Sequence, residues 1–289
     1  MNNLWIAHRS ETHPPLVGEK LNFVHRGEGQ PVLMIHGLAA SLHDWDDFLP
    51  SISEAGFSGY AIDLLGHGES AKPKNLNAYT AENAFWHWVR WWEKEVPPRG
   101  QILIGHSLGG YMVMEYALRF PERLRAIVLI NPFYSLSQLP SPLQKVLRYP
   151  LKNTLLIERT PYWLFRMLID LTNLRWQNGN LQHELPEHIR AQTAWDYKRA
   201  APGIYNLPRT IRNLEPELKH LRIPALVIWG GRDQTLDPQS FPYLVQTLPQ
   251  AEGFMLASCG HIPHQCHPQQ VYARILQFLA EKQEKQEQR

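Results

Sequence analysis

The sequence predicts an α/β fold: a mostly parallel central sheet flanked by helices, with a helical cap inserted after the sixth strand. Three observations carry that expectation. Seven short runs are apolar, several of them continuously so, as strands buried on both faces of a parallel sheet read. Amphipathic helical patterns alternate with these runs. Between residues 132 and 222 the alternation stops, and helical periodicity continues without a strand.

The strands are read at 21–26, "PVLMIHG" (31–37), "GYAID" (59–63), "QILIG" (101–105), "AIVLIN" (126–131), "ALVIWG" (225–230) and "FMLAS" (254–258). Helices are expected at 41–53, 81–96, 108–120, 238–248 and 268–284, where apolar residues recur at helical spacing. In "FWHWVRWW", Phe85, Trp88 or Val89, Trp92 and Val96 follow that spacing and form a core face. Trp86 and Trp91 then point elsewhere, under the cap or into a partner. Pro132, Pro140, Pro142, Pro150, Pro161 and Pro186 divide the strand-free stretch into short pieces. Its length, and its place after "VLINP", make it a lid rather than an independent domain. The chain therefore divides into a core of residues 1–131 and 223–289 and a cap of residues 132–222. The tail "AEKQEKQEQR" reads as a solvated helix end.

At 289 residues the chain can bury a sizeable core without disulfides or metals. The 29 basic and 27 acidic residues leave a formal charge of +2, which argues against nucleic acid as the main partner. No run reaches the roughly 18 to 20 apolar residues that span a bilayer. "MNNLWIAHRSETHPP" has no apolar leader core, and the two cysteines, Cys259 and Cys266, offer no disulfide framework. These features predict a cytoplasmic protein.

The chemistry concentrates in "ILIGHSLGGYMVM", residues 102–114, where an apolar run passes directly into a helical pattern. So sharp a turn strains its corner residue and crowds the neighbours. Gly105 and Gly109, two residues before and after Ser107, remove the side chains that would collide. The corner then presents the serine oxygen at a helix N-terminus, where developing negative charge is stabilised. A serine hydroxyl at its free pKa needs a base, and the base needs an orienting carboxylate. Asp233 follows a strand in "ALVIWGGRDQTLDP", and His261 follows the last strand in "FMLASCGHIPHQCHP".

With these residues the sequence resembles the α/β-hydrolase superfamily along nearly its whole length. "HGLAAS" is similar to the family's oxyanion loop, "DLLGHGES" to its post-strand turn and "GHSLGG" to its nucleophile elbow. "WGGRD" and "GH" resemble the acid and histidine loops, and all five motifs stand in family order. The resemblance implies Ser107 as nucleophile, His261 as general base and acid, and Asp233 as its orienting carboxylate. It also implies an oxyanion hole from the backbone N–H groups of Leu38 and Leu108, with no cofactor. The implied activity is hydrolysis of a small-molecule ester or thioester with an apolar moiety, through an acyl-enzyme. Epoxide hydrolases and haloalkane dehalogenases of the superfamily use an aspartate nucleophile, which Ser107 sets aside. "HGLAASLHDWDDF" also resembles the oxyanion loop of carbon–carbon bond hydrolases of the meta-cleavage type, whose elbow more often has asparagine at the place of His106. A low-turnover ligand receptor keeping the triad would share every motif.

Several residues invite competing roles. Asp237, before Pro238, reads as a helix N-cap rather than the acid. Asp63 in "DLLGHG" reads as a turn residue, and His36 as a hydrogen-bonded structural histidine. His106 either braces or lines the pocket floor. In "CGHIPHQCH", His261, His264, Cys266 and His267 stand close in sequence, but Pro263 interrupts any helix that would align them. Their spacing fits no zinc pattern, so no metal is expected. The amphipathic "YWLFRMLIDLTNLRW" reads as a pocket roof, with peripheral contact to lipid as the other reading.

Overall fold

All seven expected strands form. The computed structural model describes residues 20–98, 100–152, 154–177 and 179–287; the N-terminal stretch expected to carry no leader lies outside them. In chain order the strands are β1 (Phe23–Arg26), β2 (Gln30–Ile35), β3 (Phe57–Ile62), β4 (Gln101–His106), β5 (Leu124–Ile130), β6 (Leu174–Gln177), β7 (Asn180–His183), β8 (Ala225–Gly230) and β9 (Ala251–Leu256). Seven of them make one sheet in the order β1-β3-β2-β4-β5-β8-β9. β1 runs antiparallel to β3, and every other neighbouring pair in that sheet is parallel.

The continuous apolar runs are explained by burial on both faces. Alternate side chains leave a strand on opposite sides. Leu33, Leu103, Ile127 and Val227 enter one core, and Val32, Ile102, Val128 and Leu226 the other. The helices are α1 (Phe48–Glu54), α2 (Ala81–Glu95), α3 (Leu108–Arg119), α4 (Ser141–Val146), α5 (Leu155–Arg159), α6 (Tyr162–Thr172), α7 (Glu187–Arg199), α8 (Ser240–Thr247), α9 (Pro263–Cys266) and α10 (Pro268–Glu287). Side chains of α2, α3 and α8 fill the first core, and those of α1 and α10 the second.

The Trp-rich helix departs from expectation in one respect. Thr80 caps α2 by accepting from Asn83 N–H, and Phe85, Trp88, Val89 and Trp92 are fully buried as expected. Trp86, however, is also buried: it packs edge-on against Phe85 and Phe120, and its indole N–H donates to Glu82. Trp91 packs on Phe23 of β1 and on Trp92. Both tryptophans are thus absorbed by the core and the sheet edge, because α2 is flanked by elements on more than one side.

Residues 132–222 carry α4 to α7 and, contrary to expectation, a strand pair. β6 and β7 form a separate antiparallel hairpin, with Leu174 opposite His183 and Gln177 opposite Asn180. Its sequence signal is the Asn-Gly dipeptide at 178–179, with Gly179 at φ 79°. The insertion follows β5, the fifth sheet strand among the described residues rather than a sixth, because a single strand, β1, precedes β2 there. α8 also begins at Ser240, later than expected. Asp237 closes the turn ahead of it by accepting from Gln239 N–H, instead of capping the helix itself. No described helix is long and apolar enough to cross a membrane.

Candidate active site

Parallel strands all end on one side of a sheet, so the loops leaving them gather there. Leu38 follows β2, Ser107 follows β4, Asn131 follows β5, Asp233 follows β8 and His261 follows β9. Five strand ends thus deliver the expected residues, and one unexpected residue, to the same place.

Ser107 stands between β4 and α3 with φ 51° and ψ −112°, a strained conformation for a residue with a side chain. The glycines have the steric roles expected of them. A Cβ on Gly105 would lie 2.3 Å from Gly109 O, and one on Gly109 would lie 2.1 Å from Ile35 O. Gly37 allows the loop after β2 to approach the elbow, since a Cβ there would meet His106 Nδ1 at 2.9 Å and Ser107 Cβ at 3.3 Å. That approach brings the Leu38 loop against Ser107. Leu108 opens α3, so its N–H has no acceptor within the helix.

Asp233 is buried beneath His261. Its Oδ1 accepts from the N–H groups of Thr235 (2.8 Å) and Leu236 (3.1 Å). Its Oδ2 accepts from Asn131 Nδ2 at 2.7 Å and lies 2.8 Å from His261 Nδ1. Burial pushes this carboxyl up, but His261, Asn131 and the Leu236 N–H outweigh it and hold Asp233 below the usual carboxylate range. A carboxylate only accepts, so Nδ1 carries the proton in this contact, and in the neutral imidazole Nε2 is the nitrogen with the lone pair. Ser107, His261, Leu38 and Leu108 line one cavity of about 1160 Å³. The insertion contributes Leu143, Leu147, Ile169 and Tyr197 to the same walls. An arrangement of this kind can take a proton from a hydroxyl, hold it, and return it to a leaving group.

Two residues of this region were not singled out in the sequence. Asn131, at φ 40° and fully buried, is the second donor to Asp233. Its signal is an asparagine at a strand end, where that residue type tolerates positive φ. Asp44 also lines the cavity, with Oδ1 accepting from Gln265 at 2.8 Å and burial pushing its pKa well up.

The competing residues take structural places. Asp63 accepts from Leu42 N–H, Glu69 N–H and the Asn22 amide, which ties three segments together. His36 accepts from Leu64 N–H through Nε2 and contacts Gly37 O through Nδ1, and its burial lowers its pKa. His106 both lines the cavity and braces the loop that carries His261 by donating from Nε2 to His261 O at 2.9 Å. Where sequence spacing suggested no metal cluster, the chain reversal at α9 brings ligand atoms of Cys259, Cys266 and His267 within 4.8 Å of one another. Asp44, His106 and His264 form a second such group.

Comparison with known proteins gives a consistent frame. A family model described as alpha/beta hydrolase fold matches residues 30–268. "Bifunctional epoxide hydrolase 2" of Sus scrofa is 26% identical over 299 residues, covering 91% of this chain and 53% of that protein. The chain therefore spans about half the length of that relative. "Lipase 1" of Psychrobacter immobilis is 25% identical over 255 residues, covering 85% of this chain and 76% of the lipase. A solved thermophilic esterase from Thermogutta terrifontis superposes with a TM-score of 0.74 at 22% identity, over 91% of this chain and 93% of that one, a likeness of fold. The matched span takes in all five strand ends that build the site, and the chain belongs to the alpha/beta hydrolase fold family.

Proposed function

We propose that this protein is a serine hydrolase that cleaves a carboxylic ester, or a thioester, bearing an apolar moiety. The observation that carries this reading is the Asp233–His261 pair at 2.8 Å, sharing a cavity with a serine held on a strained strand-to-helix corner. In the proposed reaction His261 Nε2 takes the Ser107 hydroxyl proton as Oγ attacks the carbonyl carbon. Asp233 keeps the imidazole in the Nδ1–H tautomer and stabilises the imidazolium. The oxyanion faces the N–H groups of Leu38 and Leu108, each donor worth roughly 3 to 4 kcal/mol in comparable sites. Collapse breaks the bond to the alcohol or thiol, which leaves with the proton from His261. Water then attacks the acyl carbonyl as His261 takes its proton, the bond to Ser107 Oγ breaks as that proton returns to Oγ, and the acyl group departs as the acid.

The esterase and lipase relatives support the ester as substrate, and Ser107 stands where an epoxide-opening member of the fold would need an aspartate. The leucines and aromatic rings on the cavity walls support an apolar substrate part. In this reading residues 132–222 act as a cap. Val146, Tyr149, Leu156 and Trp163 stand exposed on it, interleaved with exposed Lys145, Arg148 and Lys152. That composition suits peripheral contact with a lipid surface.

The test is initial rates on p-nitrophenyl esters of increasing acyl length, for wild type and Ser107→Ala. Turnover is expected to rise with chain length and to fall at least roughly 1000-fold in the variant. Absence of serine-dependent turnover at every length would remove the ester reading in favour of a carbon–carbon hydrolase or a receptor.

A further inference from the structure

We infer that Cys259, Cys266 and His267 form a binding site for a thiophilic divalent metal ion of the Zn²⁺ class, beside the loop that carries His261. The fold, rather than sequence spacing, assembles it. Cys259 ends the turn that leaves β9, its N–H donating to Leu256 O. The chain then reverses through the single turn of α9, where Cys266 N–H donates to Ile262 O and His267 N–H to Pro263 O. The reversal returns the second cysteine and the histidine to the first cysteine, and puts His261 inside the closed segment.

The donor set fits the ion. Two sulfurs and an imidazole nitrogen select zinc-like metals over magnesium or calcium, which prefer oxygen. The three ligand atoms lie within 4.8 Å of one another. Bonds of about 2.3 Å in a tetrahedral site place ligands roughly 3.8 Å apart, so side-chain adjustment suffices. Ser258 Oγ, 3.1 Å from His267 Nε2, steadies the ring. Glu184 Oε1 lies 3.4 Å from Cys266 Sγ and brings negative charge to the cluster. Glu184 is itself fixed by Gly260 N–H at 2.8 Å and Arg175 at 3.2 Å. Cys259 is fully buried whereas Cys266 and His267 are half-buried, which leaves the ion a way in.

The Asp44, His106 and His264 group meets the same distance limit but lacks these features. His106 Nε2 is committed to His261 O, His264 is fully buried, and no sulfur is present. Binding at the cysteine cluster involves no redox change. The ion replaces the protons of two thiols, which pass to solvent, and a fourth position remains for water or the Glu184 carboxylate.

The experiment needs no substrate and so stands apart from the ester reading. Full-length protein, reduced and stripped with chelator, is titrated with Zn²⁺ by calorimetry and with Co²⁺ by absorption spectroscopy. One equivalent should bind, with a thiolate-to-cobalt charge-transfer band. At a hundredfold excess over Kd, Zn²⁺ should raise Tm by about 5 °C. Cys266→Ser and His267→Gln should each weaken binding at least tenfold, and Asp44→Asn should leave it unchanged. The second of these variants keeps the test open if the first fails to fold. No binding, an equivalent bound without the thiolate band, or loss confined to Asp44→Asn would overturn the assignment.

Discussion

Asn131 shows how much a single side chain can settle. Its amide donates to the carboxylate oxygen that also faces His261, and its Oδ1 accepts from Gly230 N–H at 3.4 Å. It therefore joins the ends of β5 and β8 and helps keep Asp233 ionised while buried. A hydrogen bond to a buried charge contributes roughly 1.5 to 3 kcal/mol. Asn131→Ala should accordingly lower kcat/KM on the best ester by roughly ten- to a hundredfold. Loss of a donor to the charged form also makes the Asp233 carboxylate more basic, and because Asp233 and His261 take up protons as a coupled pair, the acidic limb of the pH–rate profile should move to higher pH while the alkaline limb stays. Rates measured across pH check both. An unmoved acidic limb would mean that Asn131 serves only to join the strand ends.

At the scale of elements, legibility followed from periodicity and steric need. Strands buried on both faces and the elbow with its paired glycines have signatures that little else produces, and each appears at the expected place. Asn131 was not legible, because one asparagine at a strand end matters only through a partner 102 residues away. The metal-ligand cluster was hidden for a similar reason: Pro263 ends one helical pattern but starts the short turn that folds the chain back. Trp86 and Trp91 were misjudged because a helix wheel assumes one buried face. α2 packs on the sheet core through Trp88 and Trp92, on Phe120 through Trp86 and on β1 through Trp91. Substitution should rank these contacts. Trp88→Ala removes a fully buried indole and should cost roughly 3 to 5 kcal/mol, whereas Trp91→Ala, at a half-buried edge, should cost less than half as much. Urea unfolding of the two variants measures this, and equal costs would mean that the edge strand depends on α2 as heavily as the core does.

At the scale of the whole molecule, the insertion is stitched to the sheet by backbone and side-chain bonds. Ala201 N–H donates to Gly66 O, Asp237 N–H to Gln138 O, and Ala81 N–H to Thr210 Oγ1. Asp196 of α7 lies in the same seam, buried, with Oδ1 accepting from Gln192 and a further hydrogen bond to Ser41 on the β2 loop. Burial is the main cause that pushes its pKa up to about 6. The sign of the consequence follows from proton counting. Between the ordinary value of 3.8 and about 6, the folded chain keeps this proton and the unfolded chain has lost it. Stability from this group is therefore present at low pH, is lost as pH rises toward 6, and stays lost above it. The gap corresponds to roughly 3 kcal/mol at pH 7. Asp196→Asn keeps the acceptor and abolishes the titration, so it should match wild type near pH 4 and exceed it at pH 7 by up to that amount. Denaturant midpoints across pH 4 to 8 decide the matter. Parallel curves for the two proteins would mean that solvent reaches the seam and lets Asp196 ionise without penalty.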